Sequence, residues 1–308
     1  MADLTKAEAQ VYDRQLRVWG VEVQKRLQDV KILLVGCGGL AAEVAKNIVL
    51  AGVGSVVLAD DTPCRDAPPG NFLIHTSSNP NESVASVSAA TLQEMNPLVK
   101  VTSQPMGALS TAQGFQPFNL VVCLGQSIAD QLKINKWCRA FDIMFYSGRV
   151  LGGLGHFFVD LQKHTYNQKG KANKAGPSCS SIDYVPLEEA LRVPTLRKKM
   201  HGLFFVLQVC ADFESRHNRQ PGPGDMDEML STAGRLSGGQ PWNGTSLDER
   251  TLCQYVCGVG ELPPVSAVIG GVLANEIVKA IGGNSEPLRN FFFYSILDGK
   301  GVAECVGV

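Results

Sequence analysis

The sequence predicts an α/β fold, a doubly wound Rossmann-like parallel sheet, from three stretches near its start. KILLVG (Lys31–Gly36) is a continuous apolar run of strand length that ends in glycine, the pattern of a strand buried on both faces. GCGGLAAEVAKNIVLAG follows, with helical periodicity through Val44, Ile48 and Val49 and a stop at Gly52. SVVLADD is a second buried strand closing on Asp60 and Asp61. Together they make a βαβ unit, and such a unit crosses over right-handed.

The other elements follow in order. Ahead of the unit, VYDRQLRVWG reads as a helix whose Tyr12, Leu16 and Trp19 form an apolar stripe, with Arg14 and Arg17 on the opposite side. After it, VKVTS and NLVVCLG are strands and Ile128–Phe141 a helix. IMFYSG and GHFFVDL are strands joined by a glycine-rich turn from Gly148 to Gly155. Residues 164–181 are polar, without a large aliphatic side chain, and read as a loop or linker. A mostly helical middle comes next, at about 195–217, 225–236 and 246–257, separated by glycine/proline clusters. Pro264–Ile281 is an apolar helix, and NFFFYSILDGKGVAECVGV a hairpin turning at Asp298–Gly301 that rejoins the first sheet. The expected organisation is residues 1–163 and 259–308 as two parts of one α/β domain, with 164–258 as an insertion.

Composition narrows the function. With 44% hydrophobic residues and a net charge of −1, neither nucleic acid nor an anionic membrane surface is the expected main partner. The start, MADLTKAEAQ, has no apolar stretch of the signal-peptide kind, and the nine cysteines read as free thiols in a reducing compartment. The apolar run Val265–Ile281 carries Glu276 and Lys279 and reads as a buried helix rather than a membrane span.

Gly36-Cys37-Gly38-Gly39-Leu40-Ala41 fits G-x-G-x-x-G/A between a strand and a helix, with Asp60 about twenty residues on. Glycines admit a phosphate to the backbone, and the helix N-terminus supplies free N–H donors. Alone, the loop suggests a dinucleotide dehydrogenase, although no His/Asp or Tyr/Lys pair nearby resembles a hydride-transfer acid. Tight strand–helix packing is the other reading of such a loop. Arg14 and Arg17 likewise have two readings on the residues alone, a solvated charged face or a functional pair.

The combination is more specific than its parts. YDRQLRVWG, KILLVGCGGLAAEVAKNIVLAGVGSVVLAD, MNP (Met95–Pro97), PPVSAVIGGVLANEIVKAI and NFFFYSILDGKG stand in one order and spacing. In this the chain resembles the adenylating family that holds the activating enzymes of ubiquitin-like modifiers and the bacterial MoeB/ThiF enzymes. The likeness is greatest to the small, non-thioester subunits of heterodimeric SUMO-activating enzymes. It covers nearly the whole chain and is weakest over 164–181 and 218–245. A ThiF-type adenylation domain is the fold it implies, and the nucleus the compartment, with the cytoplasm as the alternative.

The chemistry implied is attack of a modifier's C-terminal carboxylate on the α-phosphate of ATP, with Mg²⁺, a lysine and arginines neutralising charge. Active members follow the second strand with D-x-D and S-N-L-x-R-Q; here Asp60 and Asp61 are present, but DAPPGNFLI replaces the asparagine–arginine segment. The family's phosphate lysine, twelve residues before the asparagine of the N-P pair, falls on Val84, and its further metal aspartate on Gln126. The resemblance therefore implies a degenerate site at Gly36, Gly38, Gly39 and Asp60. ATP and Mg²⁺ would be held mainly by a large catalytic partner subunit. Arg14 occupies the place of the family arginine that reaches across the dimer, and Arg17 would support it or contact the partner. SUMO would be met indirectly.

Among the cysteines, Cys179 in PSCSSIDYVP resembles the family's thioester site only loosely and reads as a free surface thiol. Cys253 and Cys257 are spaced i, i+4 without a second ligand pair, so they read as helix core, and no zinc is expected. Cys37, Cys123 and Cys210 sit in apolar runs. The five histidines show no ligand spacing, and Arg197–Lys199 reads as a helix surface. The competing functions are a free-standing homodimeric MoeB/ThiF-type adenylyltransferase, a small subunit for a Nedd-type modifier, a NAD-dependent dehydrogenase and a pure scaffold.

Overall fold

A computed structural model describes residues 4–75, 77–168, 178–194, 200–237, 249–258 and 260–307. Three short helices open the chain: α1 (Lys6–Val11), α2 (Asp13–Trp19) and α3 (Val21–Gln28). The βαβ unit is β1 (Lys31–Val35), α4 (Gly39–Ala51) and β2 (Ser55–Ala59), followed by α5 (Val84–Met95) and β3 (Lys100–Gln104). Then come β4 (Leu120–Leu124), α6 (Ile128–Ala140), β5 (Met144–Leu151) and β6 (Leu154–Asp160). A ribbon of β7 (Lys163–Gln168) and β8 (Ser178–Asp183) leads to α7 (Leu187–Leu191), α8 (Gly202–His217), α9 (Met226–Leu236) and α10 (Glu249–Cys257). The chain ends in α11 (Pro263–Gly282), β9 (Phe291–Ser295) and β10 (Lys300–Glu304).

The large sheet runs β10-β9-β6-β5-β4-β1-β2-β3. The pairs β3–β2, β2–β1, β1–β4 and β4–β5 are parallel, and β6, β9 and β10 add on antiparallel. Alternate residues of each central strand enter opposite layers. Ile32 and Leu34 join α3, α4, α5 and α11 on one face; Leu33 and Val35 join α6 and the helical middle on the other. Covering both faces explains the unbroken apolar runs. The aromatic tail behaves likewise, with Phe291, Phe292 and Phe293 all buried as β9 pairs with β6.

Several elements differ from the sequence expectation. Residues 163–168 and 178–183 form a two-stranded antiparallel ribbon rather than a loop, buried through Tyr166 and Ile182. Residues 169–177 lie outside the described residues, as do Thr195 and Arg197–Lys199. The turn between β5 and β6 is only Gly152-Gly153, because Gly148 and Gly155 pair within the strands. A Cβ on Gly148 would come within 2.7 Å of the His156 carbonyl, and one on Gly155 within 2.2 Å of Ile269 on α11, so both mark close approach. The last hairpin turns at 296–299.

Gly52 ends α4 in the left-handed region (φ +80°), where a Cβ would also meet the Tyr12 ring at 2.5 Å. The α11 helix has the length and apolarity of a membrane span, yet it packs on α4, α3 and β6, with Glu276 buried and paired to Lys279 at 2.5 Å.

Candidate functional site

Strand order reverses between β1 and β4, and in open sheets of this kind the ligand crevice lies beyond the carboxyl ends of such strands. Here that position holds the glycine loop. Gly36 has φ +86°, and a Cβ there would lie 2.1 Å from the Leu124 carbonyl, so glycine is required where β1 and β4 end together. Asp60, at the end of β2, accepts from Cys37 N–H through Oδ2 (2.8 Å) and from Thr62 N–H through Oδ1 (2.9 Å). From the other side Asn71 Nδ2 donates to the Cys37 carbonyl (2.8 Å) and to Ser88 Oγ (3.2 Å). The loop is thereby braced by a carboxylate and an amide.

At the N-terminus of α4 stands a side chain from far along the chain. Glu261 Oε2 accepts from Leu40 N–H at 2.5 Å. A Cβ on Gly38 would lie 2.7 Å from Oε1, and one on Gly39 2.9 Å from Oε2. Burial pushes the Glu261 carboxyl up, opposed by the Leu40 N–H and by the Arg149 guanidinium. Sequence reasoning missed both Glu261 and Asn71. Asn71 was readable as the asparagine of DAPPGNFLI, but no spacing rule joins Glu261 to a loop more than 220 residues earlier.

The positions where the family resemblance expects cations and metal ligands for ATP and Mg²⁺ are filled otherwise. Val84, at the lysine position, is fully buried in the first turn of α5. Gln126, at the metal aspartate position, turns its Nε2 onto the Leu124 carbonyl at 3.2 Å, and Ser127 caps α6. Asp61 accepts from Met106 N–H at 3.1 Å. Arg65 pairs with Asn81 and Asp66, and Arg149 Nη2 donates to Gln220 at 2.6 Å. Among the described residues no three His, Cys, Asp or Glu side chains converge to hold a metal. A carboxylate on the phosphate-facing N–H groups, with an apolar side chain in place of the lysine, does not fit ATP·Mg²⁺.

Arg14 lies elsewhere. The apolar side of α2 is pinned down: Tyr12 is 2% exposed and its hydroxyl accepts from Asn96 Nδ2 (3.1 Å), which also donates to the Val49 carbonyl (2.8 Å). Gln15 Nε2 donates to Gln24 and to the Ala51 carbonyl, both at 2.9 Å, and Trp19 Nε1 to Gln24 at 3.2 Å. These contacts fix α2 at the far end of α4, roughly 18 Å from the glycine loop at ~1.5 Å per residue. Arg14 is exposed and has no ion pair or hydrogen bond among the described residues. Arg17 is bound to Asp13 at 2.8 Å on the surface. The structure therefore does not bring Arg14 together with Gly36, Gly38, Gly39 and Asp60.

Cys37, Cys123 and Cys210 are buried, and burial raises each thiol, to about 12 for Cys210. Cys179 is exposed. The helix-core reading of Cys253 and Cys257 is corrected: α10 turns Leu252, Tyr255 and Val256 inward, leaving Cys253 exposed and Cys257 half-buried. His217 pairs with Glu228 at 2.8 Å, and His201 stacks on Phe293.

His156, on β6 beside Tyr255, is buried with its Nδ1 lacking a hydrogen-bond partner, and burial lowers its pKa to about 3. It stays neutral in the fold, while the unfolded chain takes up a proton below its ordinary value. Stability is therefore expected to fall by about 1.4 kcal/mol per pH unit on this account as pH drops from about 6.5 toward 3. Unfolding free energies measured across that range should show a slope shallower by one proton in His156→Gln.

The profile of the ThiF family matches residues 12–305. SUMO-activating enzyme subunit 1B-1 of Arabidopsis thaliana is 37% identical over 314 residues, 98% of this chain and 97% of that protein. SUMO-activating enzyme subunit 1 of Homo sapiens is 32% identical over 339 residues, 99% of this chain and 96% of that one. Two solved structures share the fold: PaaA, with a TM-score of 0.60, 13% identity and coverage of 98% and 84% of the two chains, and Escherichia coli MccB, with 0.54, 14%, 96% and 71%. With its glycine loop, its mostly parallel sheet and its antiparallel tail strands, this chain belongs to the ThiF family, alongside the proteins named SUMO-activating enzyme subunit 1.

Proposed function

We propose that this chain is the non-thioester partner subunit of a SUMO-activating enzyme. It supports ATP-dependent adenylation of the modifier's C-terminal carboxylate and the modifier's transfer to a cysteine of a large subunit, which holds ATP and Mg²⁺. The observation that carries this reading is likeness along almost the entire chain to SUMO-activating enzyme subunit 1 proteins. The site supports it, since the adenylation scaffold is intact while its phosphate-binding charges are replaced by Val84 and Gln126.

In this reading Arg14 serves a neighbouring molecule. Its helix is held about one helix length from its own glycine loop, so a phosphate within reach belongs to another polypeptide. Val11 and Val18, one turn either side of Arg14, are 62% and 73% exposed. Apolar side chains around an unpaired arginine are the chemistry of a protein–protein contact. A planar guanidinium there would meet two oxygens of the partner's ATP γ-phosphate and stabilise charge as the modifier carboxylate displaces pyrophosphate.

ATP–pyrophosphate exchange tests the reading. The chain alone is expected to show no exchange above background. Reconstituted with the large subunit, it should support SUMO-dependent exchange and a thioester on the large subunit. Robust exchange by the isolated chain would instead favour a free-standing adenylyltransferase.

A further inference from the structure

We propose that Glu261 is a built-in anion seated at the phosphate end of the chain's own glycine loop, so that nucleotide is kept out by an occupant as well as by missing cations. This rests on the reading that the chain's own loop does not serve the reaction. The N-terminus of a helix offers unpaired N–H groups and the positive end of the helix dipole. The 13-residue α4 starts from Gly38, has no acidic residue in its first turn and receives no local side-chain cap. The carboxylate that answers it comes from the segment before α11, through the 2.5 Å contact with Leu40 N–H.

The two glycines that would admit a phosphate to the backbone admit Glu261 instead. Its oxygens lie 2.7 and 2.9 Å from where Cβ atoms of Gly38 and Gly39 would be. Three other elements hold it there. Gly152, in the β5–β6 turn, bridges to the Glu261 backbone, and Gly152 N–H donates to the Gly260 carbonyl at 2.9 Å. Gly70 lies against the Glu261 carbonyl, where its Cβ would sit at 3.4 Å. Ser266 Oγ, from the first turn of α11, donates to Oε2 at 3.4 Å. Beside this arrangement a cavity of about 340 Å³ is lined by Gly39, Glu43, Gly70, Asn71, Phe72 and Ser266. The wall also carries Glu43, but its carboxylate is paired with Lys46 at 2.6 Å, so the uncompensated like charge that a triphosphate meets at the loop is that of Glu261.

The test is calorimetric titration of the full chain, without a partner, with ATP and separately with inorganic pyrophosphate, for wild type, Glu261→Gln and Glu261→Ala. Circular dichroism confirms folding in each, and the glutamine variant keeps the shape of the side chain if alanine loosens α4. Wild type should show no saturable binding. Both variants should gain it, at least about tenfold tighter than the wild-type limit, because one opposing charge close to the phosphates is gone. Folded variants as inert as wild type would overturn the proposal and make Glu261 a helix cap alone. Saturable wild-type binding that the variants leave unchanged would overturn it as well. The two-subunit exchange assay judges the reading beneath it, so the two failures stay separate.

Discussion

Replacing Arg14 by alanine in the reconstituted two-subunit enzyme is expected to lower the rate of SUMO adenylation about a hundredfold. A charge-assisted hydrogen bond contributes roughly 1.5–3 kcal/mol, and a guanidinium that meets two phosphate oxygens sits at the upper end. At 1.36 kcal/mol per decade, about 3 kcal/mol corresponds to two powers of ten. The chain itself should not notice the change, because Arg14 is exposed and bonds to no described residue, and such surface substitutions stay within about ±0.5 kcal/mol. Thermal midpoints of the isolated variant and wild type should coincide, and the two should copurify equally with the large subunit. Arg14→Lys should recover part of the rate, since lysine keeps the charge and loses the fork. Arg17→Ala should move the rate only a few-fold at most, its charge being spent on Asp13 at 2.8 Å. Measured SUMO-dependent exchange that Arg14→Ala leaves unchanged would reduce this subunit to a scaffold.

The parts of the fold legible in the sequence are those whose burial is two-sided or strictly periodic. KILLVG, SVVLA and NLVVCL announce themselves because helices cover both faces of the sheet, and Tyr12 and Trp19 of the predicted stripe because that side of the opening helices packs inward. The β7–β8 ribbon was not legible: it pairs with itself and presents to the core little more than Tyr166 and Ile182, too few apolar residues to show alternation. Gly148 and Gly155 misled because glycine marks close approach as readily as a turn, and here the partners are a neighbouring strand and Ile269. In the site, missing charges could be read through the family resemblance, as at Val84 and Gln126. What replaces them could not. Glu261 reaches the glycine loop through the packing of α11 on α4 and of its own segment on the β5–β6 turn, long-range contacts that no local pattern encodes.

A second large effect is expected where the ribbon and helical middle attach to the sheet. Asp160, at the end of β6, is fully buried, and Arg139 Nη1 on α6 donates to both its oxygens at 2.8 Å. Asn135 Nδ2 donates to Oδ2 at 2.7 Å and Gln162 N–H to Oδ1 at 3.0 Å. The same two α6 side chains hold the returning segment, Arg139 through the Tyr184 carbonyl (3.2 Å) and Asn135 through Leu187 N–H (2.9 Å). One carboxylate thus ties the departure of the chain from the sheet to its return at α7. Arg139→Met keeps the aliphatic stem but leaves that carboxylate without its counter-charge in the interior, and breaking a buried pair in this way costs about 3–5 kcal/mol. Arg139 is 31% exposed, and solvent screening places the cost toward the lower end. Asp160→Asn should cost less, about 1–2 kcal/mol, because the orphaned guanidinium can turn to water. The double variant Arg139→Met/Asp160→Leu should regain much of the loss, since no charge then stays buried. Thermal midpoints of the three proteins order these costs, with a fall of about 6 °C or more for Arg139→Met. A midpoint unchanged in Arg139→Met would show that Asn135 and the backbone of Gln162 satisfy Asp160 unaided.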